Sequence, residues 1–163
     1  MDDKIHTLIN HYKMTPLPVE GTLFSQTYLT DEGTAIIGLY CNEPYSVSLF
    51  HRLTVDEIWH FYGGDPLNLI LLYPDGSTKD IIMGNNPLEK QLVQFTVPAG
   101  VWQAGHVLDG GKYSLYGCTM APGFSVDKFE GGPKSELLKT YPHRKREIQL
   151  YGCDENQLLM TDE

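Results

Sequence analysis

The chain has 163 residues, enough for one domain with a sizeable buried core. Hydrophobic residues make up 41% of it and charged residues 20%, a balance that excludes extensive disorder. The net charge of −9 argues against a nucleic-acid-binding protein, because phosphate contacts require clusters of Lys and Arg.

The N-terminus and the cysteines indicate a cytoplasmic protein. The first residues, MDDKIHTLINHYKM, lack the apolar run of a signal peptide, and no segment approaches the roughly 18 apolar residues of a membrane span. Cys41, Cys118 and Cys153 are widely spaced and odd in number, which does not suit a disulfide framework or a structural zinc site. We therefore expect a reducing compartment, no membrane partner and buried free thiols.

The chain begins with a predicted helix and continues as short strands. Apolar residues at helical spacing predict the helix over residues 4–12, and Pro16 and Pro18 terminate it. Strand-forming segments then recur at intervals of about ten residues, separated by turns rich in Gly, Pro, Asn and Asp. The predicted strands are 22–29, 34–40, 45–53, 57–62, 67–73, 77–83, 92–97, 101–107 and 113–121. Such spacing is typical of an all-β sandwich or barrel.

The pattern changes towards the C-terminus. Residues 127–141 are predicted to be irregular or weakly helical around 135–139, and residues 148–152 are predicted to form a short edge strand. We interpret residues 1–163 as a single domain, with a core of about 20–130 and a C-terminal extension over 131–163.

Three stretches of sequence together resemble a known family. They are FHRLTVDEIWHFYGG over residues 50–64, VPAGVWQAGH over 97–106 and YGCTMAPGF over 116–124. In this order and at these separations they resemble the Cupin_5 (DUF985) family of the RmlC-like cupins, over roughly residues 5–130. The resemblance implies a double-stranded β-helix jelly roll, the cupin barrel, and commonly a homodimer. Fold analogy within the family suggests sugar epimerase or isomerase roles.

The resemblance also implies which residues occupy the metal-ligand positions of a typical cupin. In a metal-binding cupin the first motif supplies two His and a Glu, and the second motif supplies a third His. His51 corresponds to the first His and Glu57 to the Glu, whereas Leu53 and Gln103 occupy the other two positions. We therefore expect no tightly held cofactor, and His51, Glu57 and Gln103 are weak candidate ligands for a divalent metal.

Outside these motifs, the segment PLPVEG over residues 16–21 matches only part of the PHPEGG-like opening that the family is expected to have. A His of that pattern is absent here. If this segment borders the pocket, the family offers less guidance about the substrate.

Strand alternation directs a set of polar and aromatic side chains into the barrel. Glu57, Trp59 and Phe61 share one face of their strand. A carboxylate, an imidazole, an amide and aromatic walls are the usual composition of a small-molecule site. We predict His51 and Glu57 as catalytic residues, and Gln103, Trp59, Phe61 and Tyr116 as substrate-binding residues.

Three functions are compatible with these residues. The first is a metal-independent epimerase or isomerase acting on a small carbohydrate-like molecule, with His51 as base, Glu57 as its partner, and Gln103 and Tyr116 holding an oxyanion or hydroxyl group. The second is a non-catalytic module that binds a small ligand. The third, less favoured, is a metal-dependent oxygenase or isomerase with His51, Glu57 and Gln103 as ligands.

Overall fold

The computed structural model describes residues 3–161, which form a mostly β structure of two antiparallel sheets. The helices are α1 (Asp3–Tyr12), α2 (Lys134–Thr140) and α3 (Lys145–Tyr151). The strands are β1 (Thr15–Pro16), β2 (Leu23–Leu29), β3 (Thr34–Cys41), β4 (Ser48–Leu53), β5 (Glu57–Gly64), β6 (Leu67–Leu72), β7 (Thr78–Met83), β8 (Gln94–Val97), β9 (Trp102–Val107), β10 (Tyr113–Met120) and β11 (Phe129–Gly131). Within residues 3–161, no helix is long and apolar enough to cross a membrane.

The chain alternates between the two sheets. The six-stranded sheet has the order β1-β2-β3-β10-β5-β8, and the five-stranded sheet has the order β11-β4-β9-β6-β7. Strands β5 and β10 are antiparallel neighbours, although β6, β7 and β9, which lie between them in sequence, belong to the other sheet. This connectivity is that of a jelly roll. The prediction of an all-β jelly roll with a short N-terminal helix is therefore confirmed.

The inward faces of both sheets form the main apolar core. Along β5 buried positions alternate with more exposed ones, so Glu57, Trp59 and Phe61 face the interior as strand alternation predicts. Leu67 and Leu69 of β6 pack in the same cluster as Trp59 and Phe61. Burying an apolar side chain of this size stabilises the fold by about 1.5–3 kcal/mol. The polar residues of β4, β5 and β9 are thus held on strands fixed by a packed core.

Helices cover the outer faces of both sheets. Ile5 of α1 packs against Leu39 of β3, outside the six-stranded sheet. Leu137 of α2 and Ile148 of α3 pack in one cluster with Trp102, outside the five-stranded sheet. Each helix therefore shields apolar side chains that the sheet directs away from the interior.

The predicted edge strand over residues 148–152 is wrong, because KREIQLY forms helix α3. Lys, Arg, Glu, Gln and Leu are good helix formers, and the helix places Ile148, which has no exposed surface, against the sheet. The short apolar spacing of Ile148 and Leu150 fits a strand equally well from sequence alone. Packing against the five-stranded sheet decides the outcome.

After α3 the chain returns to the side of β11. The backbone N–H of Gly131 donates to the carbonyl of Leu158 at 2.7 Å. Met160 is buried in a cluster with Leu53 and Phe129. The C-terminal tail thereby forms part of the wall of a cavity.

Candidate functional site

A cavity of about 210 Å³ is lined by residues of both sheets. Its walls are largely apolar: Leu17, Pro18, Phe24, Ile36, Leu53, Met120, Phe124, Val126, Phe129 and Met160. The acidic and imidazole side chains of Glu20, His51 and Glu57 also line it. An apolar pocket with a few convergent polar groups is the usual form of a small-molecule site.

His51 is held in one orientation on β4. Its ring is stacked on Phe129, with centroids 5.3 Å apart and an interplanar angle of 14°. Its Nδ1 lies 2.7 Å from the carbonyl of Leu49, which can only accept, so Nδ1 carries a proton and donates it. The neutral ring therefore has Nε2 as its basic atom, and this atom is available for proton transfer.

Glu57, the first residue of β5, accepts a hydrogen bond on Oε1 from Nε2 of Gln103 at 3.1 Å. The orientation of that amide is fixed by Trp59, whose indole N–H can only donate and lies 2.9 Å from Oε1 of Gln103. The pKa of Glu57 is raised from 4.5 to about 7, chiefly by burial; His51 and Gln103 lower the pKa, and nearby Glu20 raises it. At neutral pH the carboxyl group is therefore poised to give or take a proton.

Glu20 lies beside His51 on the cavity wall. It is only 7% exposed, and its Oε2 lies 3.7 Å from Nε2 of His51. Its Oε1 accepts from the hydroxyl of Ser48 at 2.6 Å, and the hydroxyl of Tyr40 lies within hydrogen-bond distance of Ser48 in turn. The carboxylate is thus fixed beside the basic nitrogen of His51, where it can stabilise an imidazolium ion.

The backbone around Glu20 is strained. Val19 has a φ of 64°, in the left-handed region, where a β-branched residue costs on the order of 1–3 kcal/mol. The backbone N–H of Leu49 donates to the carbonyl of Glu20 at 2.9 Å, which ties this loop to β4. Strain of this kind clusters at functional sites. It supports a role for the carboxylate beyond packing.

The sequence analysis did not identify Glu20 as a site residue. The available signal was the segment PLPVEG over residues 16–21, which retains the Glu of the PHPEGG-like opening. Leu17, Pro18 and Glu20 all line the cavity, so this segment borders the pocket.

The Cupin_5 model, described as cupin superfamily (DUF985), matches residues 6–131. The chain belongs to the Cupin_5 family. The family resemblance seen in the sequence is therefore confirmed.

Several solved structures are similar to this Cupin_5 chain over about nine-tenths of its length. A hypothetical protein from Leishmania major is 28% identical with a TM-score of 0.80, covering 90% of this chain and 97% of that one. A protein from Shewanella oneidensis is 29% identical with a TM-score of 0.83, covering 91% of this chain and 97% of that one. A variant of oxalate decarboxylase from Bacillus subtilis is 12% identical with a TM-score of 0.54, covering 90% of this chain and 39% of that one, which shows the fold alone. No protein of curated function matches the chain.

The donor set of this Cupin_5 protein does not fit a metal ion. Among residues 3–161, no three His, Cys, Asp or Glu side chains are grouped so that they could hold one. Leu53 stands where a second His would be, and the Oε1 of Gln103 accepts from Trp59. We assign no catalytic step to a metal.

Tyr116 also lines the cavity of the Cupin_5 fold. Its ring is stacked on Trp59, with centroids 4.8 Å apart, and its hydroxyl lies 2.8 Å from Oγ1 of Thr22. Position 38 is glycine because a Cβ there would overlap the Tyr116 ring. Burial raises the pKa of the Tyr116 phenol well above its usual range, so the group stays protonated and acts only through hydrogen bonds.

The six predicted site residues divide into two sets. His51, Glu57 and Tyr116 line the cavity together. Gln103, Trp59 and Phe61 are buried behind that wall; Gln103 reaches the cavity only through its bond to Glu57, and Phe61 packs in the main core. Direct contact of these three with a substrate stays a prediction.

Proposed function

We propose that this Cupin_5 protein is a metal-independent acid/base catalyst that moves a proton on a small molecule, as an epimerase or isomerase does. The observation that carries the proposal is the grouping of His51, Glu20 and Glu57 on the wall of an apolar cavity, with Nε2 of His51 3.7 Å from Glu20. A buried carboxyl group with a raised pKa, as Glu57 has, is typical of proton-transfer sites.

The residues divide into a base, its stabiliser and an acid. Nε2 of His51 removes a proton from a carbon next to a carbonyl group, and Glu20 stabilises the imidazolium that forms. Glu57 in its protonated form donates to the carbonyl oxygen, so that an enediol results. Transfer of the proton from His51 to the neighbouring carbon, with transfer of the first carbon's hydroxyl proton to Glu57, gives the isomer and restores the enzyme. Return of the proton to the opposite face of the original carbon, after the enediol has turned over and with the second proton going back to Glu57, gives the epimer.

A small carbohydrate-like hydroxy-carbonyl compound is the proposed substrate. Its carbonyl and hydroxyl groups match the acid and the base, and the hydroxyl of Tyr116 adds a further hydrogen-bonding group on the wall. Phe24, Phe124 and Phe129 provide apolar faces for the C–H side of a sugar ring.

A non-catalytic binding module is the second candidate. The observation that favours it is that the polar groups already satisfy one another, Ser48 bonding to Glu20 and Gln103 bonding to Glu57. Such a network can hold a ligand without turning it over.

Deuterium exchange separates the two functions. The protein is incubated in D₂O with xylose, fructose and hydroxyacetone, and exchange at the carbon-bound positions is followed by NMR. We expect exchange with at least one compound and a loss of about 10²-fold or more in His51→Asn and Glu57→Gln. His106→Asn is the matched control, because His106 stacks on Tyr151 and bonds the carbonyl of Val107 outside the cavity. Binding without exchange would identify a binding module.

We also propose a homodimer. Strand β1 pairs only with Leu23 and Phe24 of β2, so the remainder of β2 is an open edge that carries exposed Tyr28 and Leu29. Pairing with a second copy is one way to cover such an edge. Light scattering at micromolar concentration should give twice the chain mass, and a monomer mass would contradict the proposal.

A cytoplasmic location completes the proposal. Cys41, Cys118 and Cys153 are all free and buried, as suits a reducing compartment. Fractionation of the source cells, with alkylation of the thiols before lysis, should recover the reduced protein in the cytosol.

A further inference from the structure

We infer that the cavity admits only compact molecules without negative charge, and that it rejects phosphorylated, nucleotide-linked and carboxylate ligands. The inference rests on the proposed function, because it specifies the substrate class of the same site. If the inference holds, the substrate is a carbohydrate-like compound that is uncharged, is not linked to a phosphate or nucleotide, and is about the size of one ring.

The charge of the wall is the first argument. Glu20 and Glu57 line the cavity, and within residues 3–161 no Lys or Arg lines it. An anion in this space would lie near buried carboxylates at reduced dielectric, where like charges repel far more strongly than in water. Anion sites in proteins instead supply Arg, Lys or convergent backbone N–H groups.

The nearby cations are engaged elsewhere. Arg52 follows His51 on β4 and therefore points to the outer face, where its guanidinium lies 4.3 Å from the centroid of the Trp102 ring and pairs with Glu130 at 2.9 Å. Lys128 donates to the carbonyl of Gly123. Neither charge is placed to neutralise an anion inside the cavity.

The size of the cavity is the second argument. An apolar cavity of about 150 Å³ accommodates benzene, and drug-sized ligands occupy about 300–1,000 Å³. The volume of about 210 Å³ therefore suits one substituted ring. A nucleotide-linked sugar exceeds this space.

The distribution of polar and apolar side chains on the cavity wall indicates how a ligand would be oriented. Glu20, His51 and Glu57 form one polar region, whereas Leu17, Phe24 and further apolar side chains make up most of the wall. A ligand with one polar edge and an apolar body matches this division.

The rejection of anions should depend on pH. Above about pH 7, ionisation of Glu57 adds a negative charge facing His51, Glu20 and Cys118, and the rejection of anions should become stronger.

Matched neutral and anionic probes test the inference directly. Binding of benzamide, benzyl alcohol and benzoate is measured by ligand-observed NMR at about pH 6 and about pH 8, on either side of the Glu57 titration. We expect benzamide and benzyl alcohol to bind, benzoate to bind about tenfold or more weakly at the higher pH, and a smaller difference at the lower pH.

Variants that remove a single carboxylate test which charge causes the preference for benzamide over benzoate. Glu57→Gln keeps the shape of the side chain and should reduce the preference for benzamide over benzoate by about tenfold at the higher pH. Glu130→Gln removes a carboxylate outside the cavity and should leave the preference unchanged. If Glu57→Gln does not fold, Glu20→Gln provides the same comparison.

Benzoate binding as tightly as benzamide at the higher pH overturns the inference, and so does the absence of binding by both neutral probes. The wild-type protein is tested for deuterium exchange alongside these variants. Selectivity of the wild type against benzoate without any exchange in the wild type would keep the charge inference and remove the proposed catalysis. Exchange with a preference for benzoate would keep the catalysis and remove the charge inference.

Discussion

Nε2 of His51 lies 3.7 Å from Oε2 of Glu20, and both side chains are buried. The separation is too long for a hydrogen bond of the neutral ring but short enough for an ion pair once the ring is protonated. Glu20 therefore acts on the protonated state of His51 more than on the neutral state. This difference is what a base requires, because its charged form must be stabilised during the reaction.

Glu20→Gln should slow proton transfer without unfolding the protein. The amide keeps an acceptor for the hydroxyl of Ser48 but loses the charge that faces His51. We expect a loss of about 10²-fold in deuterium exchange and a change of about 1 kcal/mol or less in the free energy of unfolding. Exchange and chemical denaturation are measured on the same samples.

The control for Glu20→Gln is Glu130→Gln, which removes an ion pair of Arg52 on the outer face. A surface pair of this kind contributes about 0–1 kcal/mol, and it lies outside the cavity. Equal exchange in Glu20→Gln and wild type would show that the carboxylate has no part in the chemistry.

Glu57 should make the free energy of unfolding depend on pH. Burial raises the pKa of its carboxyl group from 4.5 to about 7 in the folded protein. As the pH rises, the unfolded chain releases this proton first, so the folded state loses stability between about pH 4.5 and about pH 7, by at most about 3 kcal/mol. Glu57→Gln stays neutral and should gain stability relative to wild type over this interval.

Urea denaturation of wild type and Glu57→Gln across this pH interval measures the effect. His51, Glu20 and Cys118, which face Glu57, are present in both proteins, so the difference between the two curves isolates residue 57. A difference that does not change with pH would rule out the raised pKa.

The strand pattern could be predicted from the sequence because alternation and turn residues are local signals. The inward direction of Glu57 and Trp59 follows from the two-residue period of β5. The position of His51 follows from the motif on β4. These features require no knowledge of how distant segments pack.

Glu20 and Gln103 could not be placed in this way. Glu20 lies in a loop without periodicity, and its burial depends on Ser48, which follows 28 residues later. Gln103 is predicted as a substrate contact because it replaces a His of the second motif, and that contact stays a prediction. The bridge that its amide forms between Trp59 and Glu57 could not be predicted, because it requires the two sheets to be assembled.

Trp59→Phe should weaken the link between the core and Glu57. The phenyl ring keeps an aromatic surface beside Tyr116, but the Oε1 of Gln103 loses its donor. We expect destabilisation of about 1–3 kcal/mol and a shift in the pH at which activity falls, because the amide that bonds Glu57 is no longer held in one orientation. Trp102→Phe is the matched control, since Trp102 packs on the outer face of its sheet. An unchanged pH profile in Trp59→Phe would contradict the positioning role.

Met160→Ala should enlarge the cavity from the C-terminal side. Met160 is 8% exposed and lines the cavity beside Leu53 and Phe129. Loss of the buried side chain should cost about 2–5 kcal/mol, less if the tail closes over the space, and should improve binding of probes one ring larger than benzamide.

The neighbouring Leu159, 71% exposed, provides the control variant Leu159→Ala, which should change neither the stability nor the size of ligand that binds. Thermal unfolding and binding of naphthalene carboxamide are measured on both variants. Similar behaviour of the two would show that the tail does not form the cavity wall in solution.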